Sequence, residues 1–213
     1  MEKIIIIGAG GFGLEILDLI DQINQNEFKY HILGFLDDCK DGNLVPGISI
    51  IGTTKEIDTF YDSLFVIGIA NPKIREHFYN LLKSKKFLIP NLIHPTALVS
   101  NYAQINGFDG IIVNSYSIIA PRAEIGKGTI IDSYVYVGHE SKLEEFVTVY
   151  SGALIAGNVI IGKSSQIGLG ARIIQGKIIG SNSIIGAGST VVKDILSNVI
   201  AVGTPCLPIK ENN

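Results

Sequence analysis

One aliphatic residue stands at every sixth position from Val113 to Val191, without a break. Helices repeat every ~3.6 residues and strands every second residue, so a strict period of six indicates short flat strands that each turn one side chain inward. The position two residues earlier is usually small or β-branched, and glycine often follows the aliphatic, where we expect a corner with a permissive backbone. The pattern predicts a parallel β-helix. Its aliphatic column is Val113, Ile119, Ile125, Ile131, Val137, Leu143, Val149, Ile155, Ile161, Ile167, Ile173, Ile179, Ile185 and Val191.

Two less specific interpretations of this stretch are a β-sandwich and a low-complexity segment. A sandwich would alternate with period two and turn about every ten residues, and a disordered segment would lack the aliphatics. The unbroken column favours the β-helix, in which three hexads form one triangular coil of eighteen residues. Burial of the column contributes about 20–40 kcal/mol before the chain entropy is subtracted. Residues 97–194 then form slightly more than five coils, with a loop at residues 107–110.

The first third of the chain has a different pattern. Ile4 to Ile7 is typical of a fully buried strand, and Gly8 to Gly13 matches G-x-G-x-x-G. Helical spacing follows from Leu14 to Gln25, and His31 to Leu36 is a second strand. This order predicts half of a Rossmann domain, with a helix N-terminus that can hold a phosphate.

Further elements are expected before the β-helix begins. We predict a short helix at residues 54–60, a strand at residues 64–69 and a last strand at residues 87–89. Asn71 and Pro72 are typical of the start of a helix that ends near Ser84. The predicted inner face of that helix consists of Ile74, Phe78, Leu81 and Leu82.

The fold class is therefore an α/β N-terminal half-Rossmann domain followed by a β-helix of hexapeptide repeats. We divide the chain into residues 1–95, residues 96–194 and a C-terminal tail, residues 195–213. One mononucleotide half holds one nucleotide, so a nucleoside diphosphate is a better ligand than a dinucleotide. The alternative, that the glycine turn merely packs a helix on a strand, stays open. The candidate substrate-binding residues are Gly10, Gly11, Phe12, Gly13, Asp37 and Asp38.

Composition excludes several functions. A net charge of −3 gives no electrostatic footprint for nucleic acid. No apolar run approaches the ~18 residues that span a bilayer, and the run at Ile4 is too short for a signal peptide. Cys39 and Cys206 form neither a disulfide framework nor a metal motif. We therefore expect a cytoplasmic protein with no metal, no membrane insertion and no nucleic-acid partner.

Among the four histidines, His139 is the candidate base, because it projects from a corner of the repeat just after Val137. Glu140 can hold its Nδ1–H and leave Nε2 free. Gly157 lies eighteen residues on, and so one coil away, where its N–H can donate to an oxyanion. A simple structural glycine is equally compatible. His31, His77 and His94 are expected to be structural.

These residues together resemble a known group, the bacterial left-handed β-helix acyltransferases of the sialic acid O-acetyltransferase-like family. The resemblance is nearest to the N-acetyltransferases that act on nucleotide-linked 4-amino-4,6-dideoxy sugars. It covers nearly the whole chain, and its motifs are Gly8 to Gly13, the segment Phe35 to Asp38, Ile74 and Arg75, residues 91–97, the hexads, Gly138 to Glu140, Ala156 to Asn158 and Gly203 to Pro205.

The resemblance implies a homotrimer with active sites between adjacent β-helices. It implies acetyl-CoA as cosubstrate, with Thr148, Gly157, Leu169 and Gly186 as cofactor-binding residues. By the same resemblance, His139 takes a proton from the sugar amine, Glu140 raises the basicity of His139, and the Gly157 N–H stabilises the oxyanion. Relatives commonly carry a second histidine where this chain has Thr148, nine residues after His139.

Three functions follow as hypotheses. The first is acetyl-CoA-dependent N-acetylation of the 4-amino group of a nucleotide-linked dideoxy sugar, for a bacterial surface glycan. The second is O-acetylation of a sugar hydroxyl, as on a sialic acid. The third is a non-catalytic β-helix subunit that binds a nucleotide sugar. The nucleotide, UDP, dTDP or GDP, and the sugar epimer stay open.

Overall fold

The computed structural model describes residues 1–39, 47–105 and 107–212, which form an α/β domain followed by a parallel β-helix. The α/β domain has four parallel strands in the order β3-β2-β1-β4. Its elements are β1 (Glu2–Ile7), α1 (Gly11–Asn26), β2 (Tyr30–Leu36), β3 (Ile50–Gly52), a 3-10 helix (Thr54–Phe60), β4 (Leu64–Ile67) and α2 (Pro72–Ser84).

The central strand β1 explains why this sheet is covered on both faces. Successive side chains of a strand point to opposite sides. Ile4 and Ile6 therefore pack in one apolar cluster with α1, whereas Ile5 and Ile7 pack in another with α2. All four isoleucines are fully buried. The predicted buried strand and half-Rossmann order are thereby confirmed.

At the end of this domain one prediction is wrong and another is correct only in part. Residues 87–89 form no strand. The helix α2 begins as predicted, with the Asn71 side chain accepting hydrogen bonds from two backbone N–H groups of its first turn. Of the predicted inner face, Leu82 is fully buried and Phe78 and Leu81 pack against the core. Ile74 is instead 47% exposed, and Arg75 is only 1% exposed. Hydrophobicity alone would bury Ile74 and expose Arg75.

The β-helix consists of two-residue strands on three faces, which we call face 1, face 2 and face 3. Face 1 contains β5 (Leu92–Ile93), β7 (Ile112–Val113), β10 (Ile130–Ile131), β13 (Thr148–Val149), β16 (Gln166–Ile167) and β19 (Ile184–Ile185). Face 2 contains β6 (Leu98–Val99), β8 (Ile118–Ile119), β11 (Tyr136–Val137), β14 (Leu154–Ile155), β17 (Arg172–Ile173) and β20 (Thr190–Val191). Face 3 contains β9 (Glu124–Ile125), β12 (Lys142–Leu143), β15 (Ile160–Ile161) and β18 (Ile178–Ile179).

The coils stack with an in-register repeat of eighteen residues, for example Ile131 on Val149 and Val149 on Ile167. Every member of the aliphatic column from Val113 to Val191 is at most 5% exposed, and together they form one core cluster. The small residues two positions earlier are buried in the same way. The predicted β-helix and its eighteen-residue coil are confirmed.

The glycines that follow the aliphatic column are needed for a reason other than the permissive backbone that we expected. A Cβ at Gly126 or Gly162 would lie 2.5–2.6 Å from backbone atoms of the next coil, so glycine is needed for close approach. Positive φ occurs two residues further on, where non-glycine residues such as Glu140 and Asn158 also adopt it.

The α/β domain packs on face 1 of the β-helix. Ile112 and Ile130 point outward from that face into the cluster that contains α1. Phe146, at the corner between face 3 and face 1, enters the cluster that contains α2. The chain's own first domain therefore covers the earlier coils of face 1.

The end of the β-helix differs from the repeat. Strand β21 (Val199–Val202) continues face 1 in parallel, and β22 (Leu207–Glu211) then pairs antiparallel with β21. At the other end, β5 already pairs with β7, so pairing on face 1 starts before residue 96. Within the described residues, no helix has the length and apolar character needed to cross a membrane.

We predict that Ile161→Asp abolishes cooperative folding of the β-helix. Ile161 is fully buried in the column, and an unpaired buried carboxylate costs several kcal/mol in addition to the lost isoleucine packing, out of a typical total stability of about 5–15 kcal/mol. The measurement is thermal unfolding followed by circular dichroism. The control is Ile160→Asp, the outward neighbour in β15, which is 40% exposed and should melt within a few degrees of the parent. A cooperative parent-like transition in Ile161→Asp would contradict the prediction.

Candidate active site

His139 lies at the corner between faces 2 and 3, between β11 and β12, and its side chain is about half exposed. Its Nδ1 is 3.2 Å from Oε2 of Glu140. In this contact the Nδ1–H donates to the carboxylate, which leaves Nε2 unprotonated and available to accept a proton. The predicted pairing of His139 with Glu140 is thus present in the structure.

Gly157 stacks directly over His139, one coil further on. A Cβ at Gly157 would lie 2.5 Å from the His139 Nε2, so a larger residue at position 157 would displace the imidazole. Asn158 N–H donates to the His139 carbonyl at 2.9 Å, which fixes the two coils relative to each other. The Gly157 N–H makes no hydrogen bond with the described part of the chain and is free for a ligand.

Arg122 completes this corner and was not singled out from the sequence. Its guanidinium NH1 lies 2.9 Å from Oε1 of Glu140, so the carboxylate is held between Arg122 and His139. Arg122 is mostly exposed, and we assign the pair an orienting role with little effect on stability. The eighteen-residue spacing, counted back from Glu140, identifies Arg122 directly.

The glycine loop joins β1 to α1, which begins at Gly11 with Gly10 as its N-cap and no capping side chain. Helix amides in such a position attract anions, because they are unpaired and the helix dipole is positive there. A Cβ at Gly13 would overlap the Gly8 carbonyl oxygen, whereas a Cβ at Gly10 or Gly11 would meet nothing within 4 Å. Gly13 therefore serves helix–strand packing, and Gly10 and Gly11 leave open space.

Asp37 and Asp38 follow β2 at the same sheet edge. Asp37 accepts hydrogen bonds from the backbone N–H groups of Ala9 and Cys39, at 2.7 and 2.8 Å. Asp38 accepts from the N–H of Thr54 at 2.9 Å and from its hydroxyl. Both carboxylates help to line a groove of about 160 Å³ beside Gly8. The predicted glycine loop and acidic pair thus share one edge of the sheet.

Two cavities separate α1 from the β-helix. The larger, about 470 Å³, is lined by side chains of α1 and by Asp132, Ser133 and Ser151 at the corner between faces 1 and 2. The smaller, about 160 Å³, lies between Phe12 and Thr148. Glu15 borders both cavities, and burial together with nearby Asp132 raises its pKa.

His94, which was expected to be structural, lies at the junction of the domains and also lines the larger cavity. It is 7% exposed, and its ring nitrogens contact Gln22 on one side and Thr96 on the other. Because the Thr96 N–H donates to Nδ1, the neutral imidazole is favoured there, and burial lowers the pKa of His94.

The predicted cofactor-binding residues lie in three places. Gly157 is at the His139 corner, whereas Leu169 and Gly186 are at the corner between faces 1 and 2, on consecutive coils. Thr148 is on face 1, only 1% exposed, with its hydroxyl hydrogen bonded to Arg75. The cofactor-binding assignment of these four residues stays a prediction.

The His139 corner is the corner of the triangular β-helix that does not adjoin face 1. The glycine loop and both cavities lie over face 1 or its corner with face 2. One chain therefore does not bring Gly10–Gly13 together with its own His139. Among the described residues, no group of three His, Cys, Asp or Glu is placed to hold a metal ion.

Comparison with known proteins gives matches for both parts of the chain. Residues 3–82 match the family described as the PglD N-terminal domain. The chain is 30% identical over 158 residues to GDP-perosamine N-acetyltransferase of Escherichia coli O157:H7, covering 73% of this chain and 71% of that protein.

Solved structures agree with this match. The acetyltransferase domain of PglB from Neisseria gonorrhoeae FA1090, in complex with acetyl coenzyme A, is 31% identical with a TM-score of 0.79, covering 98% of this chain and 99% of that one. A mutant of perosamine N-acetyltransferase from Caulobacter crescentus, in complex with CoA and GDP-perosamine, has a TM-score of 0.91 at 24% identity, covering 99% and 98%.

We predict that Gly13→Ala destabilises the α/β domain by more than about 2 kcal/mol, since the new Cβ would overlap the Gly8 carbonyl and force α1 away from β1. Gly11→Ala is the matched control, because its Cβ enters open space at the first position of a helix, where alanine is favourable. Urea unfolding of both variants measures the difference. Equal stability of the two would refute the close-packing role of Gly13.

Proposed function

Because the chain belongs to the bacterial left-handed β-helix acetyltransferases represented by GDP-perosamine N-acetyltransferase, we propose that it transfers the acetyl group of acetyl-CoA to the 4-amino group of a nucleotide-linked dideoxy sugar. The observation that carries the proposal is the His139 corner, in which a half-exposed imidazole paired to Glu140 faces a coil with a free N–H.

The chemistry follows from the atoms at that corner. Nε2 of His139 accepts a proton from the sugar amine as the nitrogen attacks the thioester carbonyl. The carbonyl oxygen becomes an oxyanion, which the Gly157 N–H stabilises. Collapse of the tetrahedral intermediate breaks the carbon–sulfur bond, and the thiolate of CoA takes the proton from His139. Glu140 stabilises the transient imidazolium through Nδ1, and Arg122 orients Glu140.

The nucleotide sugar is assigned to the first domain. The uncapped N-terminus of α1 at Gly10, Gly11, Phe12 and Gly13 suits the diphosphate, because it offers unpaired N–H groups and no acidic side chain in its first turn. The groove lined by Asp37 and Asp38 suits the nucleoside, whose hydroxyl and base N–H groups can donate to carboxylates.

Acetyl-CoA is assigned to the β-helix. A thioester at His139 and Gly157 directs the rest of the molecule along the coils, where Leu169 and Gly186 are candidate contacts on another corner. Acetyl-CoA and nucleotide sugars are cytoplasmic metabolites, so we place the reaction in the cytoplasm, upstream of surface glycan assembly.

The division of the site favours a homotrimer. Since the glycine loop and His139 of one chain lie on opposite sides of the β-helix, a nucleotide on one copy needs the His139 corner of another. Face 2, which adjoins that corner, carries an exposed apolar column in register. Its members are Leu98, Ile118, Tyr136 and Leu154. In a cyclic trimer, face 2 of every copy can be buried against a neighbouring copy. Each nucleotide site is then completed by the His139 corner of that neighbour.

We predict that His139→Ala lowers kcat by about 10²–10⁴-fold while the protein melts like the parent, because the imidazole is the base and carries no core packing. The assay combines acetyl-CoA with UDP-, dTDP- and GDP-linked 4-amino sugars and detects free thiol. His77→Ala, an exposed histidine on α2, is the control with unchanged turnover. Parent-like turnover in His139→Ala would reject the assigned base. A parent protein that binds nucleotide sugars but is silent with all of them would favour the non-catalytic alternative.

We also predict that two inactive variants complement each other. His139→Ala lacks the base, and Gly11→Glu places a negative charge where the diphosphate binds, in a space that accepts a side chain. In co-expressed random trimers, about a quarter of the interfaces combine an intact His139 corner with an intact glycine loop, and activity should return to about that fraction. Mixtures as inactive as either variant alone would argue against a site shared between copies.

A further inference from the structure

Arg75 is a buried cation at the junction of the two domains. It is 1% exposed on α2, and it has no carboxylate partner among the described residues. Burial lowers its pKa to about 9, which leaves it protonated at neutral pH. A buried charge without a counterion is stable only when its hydrogen bonds are satisfied.

The acceptors of Arg75 are five carbonyl oxygens and one hydroxyl, drawn from both domains. The guanidinium NH1 donates to the carbonyls of Ile69 and Ala70, at 3.1 and 2.6 Å. The other two nitrogens donate to the β-helix. Those bonds are Nε to the Gly128 carbonyl at 2.7 Å, and NH2 to the Phe146 carbonyl at 2.9 Å, the Val147 carbonyl at 3.4 Å and the Thr148 hydroxyl at 2.8 Å.

The two groups of acceptors have different positions relative to the site. Ile69 and Ala70 directly follow β4, at the sheet edge that holds the glycine loop. A Cβ on the preceding Gly68 would lie 2.8 Å from the Gly13 Cα, so this segment touches the start of α1. On the β-helix side, residues 128 and 146 are eighteen apart and therefore stack on consecutive coils.

Thr148 links both groups. Its hydroxyl accepts from Arg75 and lies 3.4 Å from the Ala70 carbonyl, to which it can donate. Ala70 and Thr148 thus adjoin in the wall of the 160 Å³ cavity, which Phe12 also lines. Arg75 bonds to both residues and so holds together the parts of this wall that the two domains contribute.

We propose that Arg75 is a positioning residue for the nucleotide sugar, which ties the edge of the glycine-loop domain to two coils of the β-helix. The inference rests on the proposed function. Since the β-helices of an assembled trimer fix the His139 corners, the orientation of each first domain on its own β-helix sets where the bound sugar amine meets the neighbouring copy. Lysine cannot replace Arg75, because an ammonium lacks the planar fork that reaches both sides.

The test compares Arg75→Lys and Thr148→Val with the control Thr148→Ser, which keeps the hydroxyl. We expect Arg75→Lys to raise the KM for the nucleotide sugar roughly tenfold or more, and Thr148→Val to raise it by about three- to tenfold. The KM for acetyl-CoA should stay within about twofold in Arg75→Lys, because that substitution leaves the coils and the candidate acetyl-CoA contacts unchanged. Partial unfolding would instead lower kcat and leave the KM of each substrate unchanged.

Hydrogen exchange of the full-length variants gives a readout that does not depend on turnover. Amides of residues 69–71 should exchange faster in Arg75→Lys and Thr148→Val than in the parent and in Thr148→Ser. Unchanged nucleotide-sugar KM values in both variants, or unchanged exchange at residues 69–71, would overturn the proposal. If the parent acetylates no sugar, the proposed function fails, and the exchange comparison alone decides whether Arg75 holds the two domains together.

Discussion

The structure depends on the close stacking of backbone on backbone between successive coils. Each coil of a β-helix lies about 4.8 Å from the next, a distance fixed by the hydrogen bonds between parallel strands. At several corners the approach is so close that a Cβ would meet the next backbone within 3 Å, and glycine stands there. Inside the β-helix, the aliphatic column belongs to one continuous buried core. Rigid spacing follows, and every exposed side chain on the coils has a defined neighbour eighteen residues away.

This regularity explains which parts of the site were predictable from the sequence. His139, Glu140 and Gly157 follow from the spacing, because a repeat of known length converts sequence separation into distance. Arg122 follows from the same count, although hydrophobic patterns draw no attention to it. The half-Rossmann order of the first domain was likewise predictable from the sequence, because an unbroken isoleucine run and a G-x-G-x-x-G motif are strong local signals.

Other features depend on contacts that no local pattern encodes. Arg75 is buried because carbonyls 53 to 72 residues further along the chain surround it, and its neighbour Ile74 is exposed for the same reason. Residues 87–89 have the composition of a strand but form none. The packing of the first domain on face 1 is also a tertiary outcome. It places the glycine loop and His139 on opposite sides of one β-helix, so the proposed function separates recognition of the sugar from the chemistry on it.

The antiparallel strand β22 affects whether one β-helix can stack end to end on another. A parallel solenoid ends in unpaired backbone groups that can template another solenoid, as in fibrils. On face 1 the last parallel strand is covered by β22, which contains Pro208, a residue without an N–H, and the charged side chains of Lys210 and Glu211. A reversed, proline-containing and charged edge is a poor template for further strands. On face 1 the chain thus ends its own parallel stacking with an antiparallel strand.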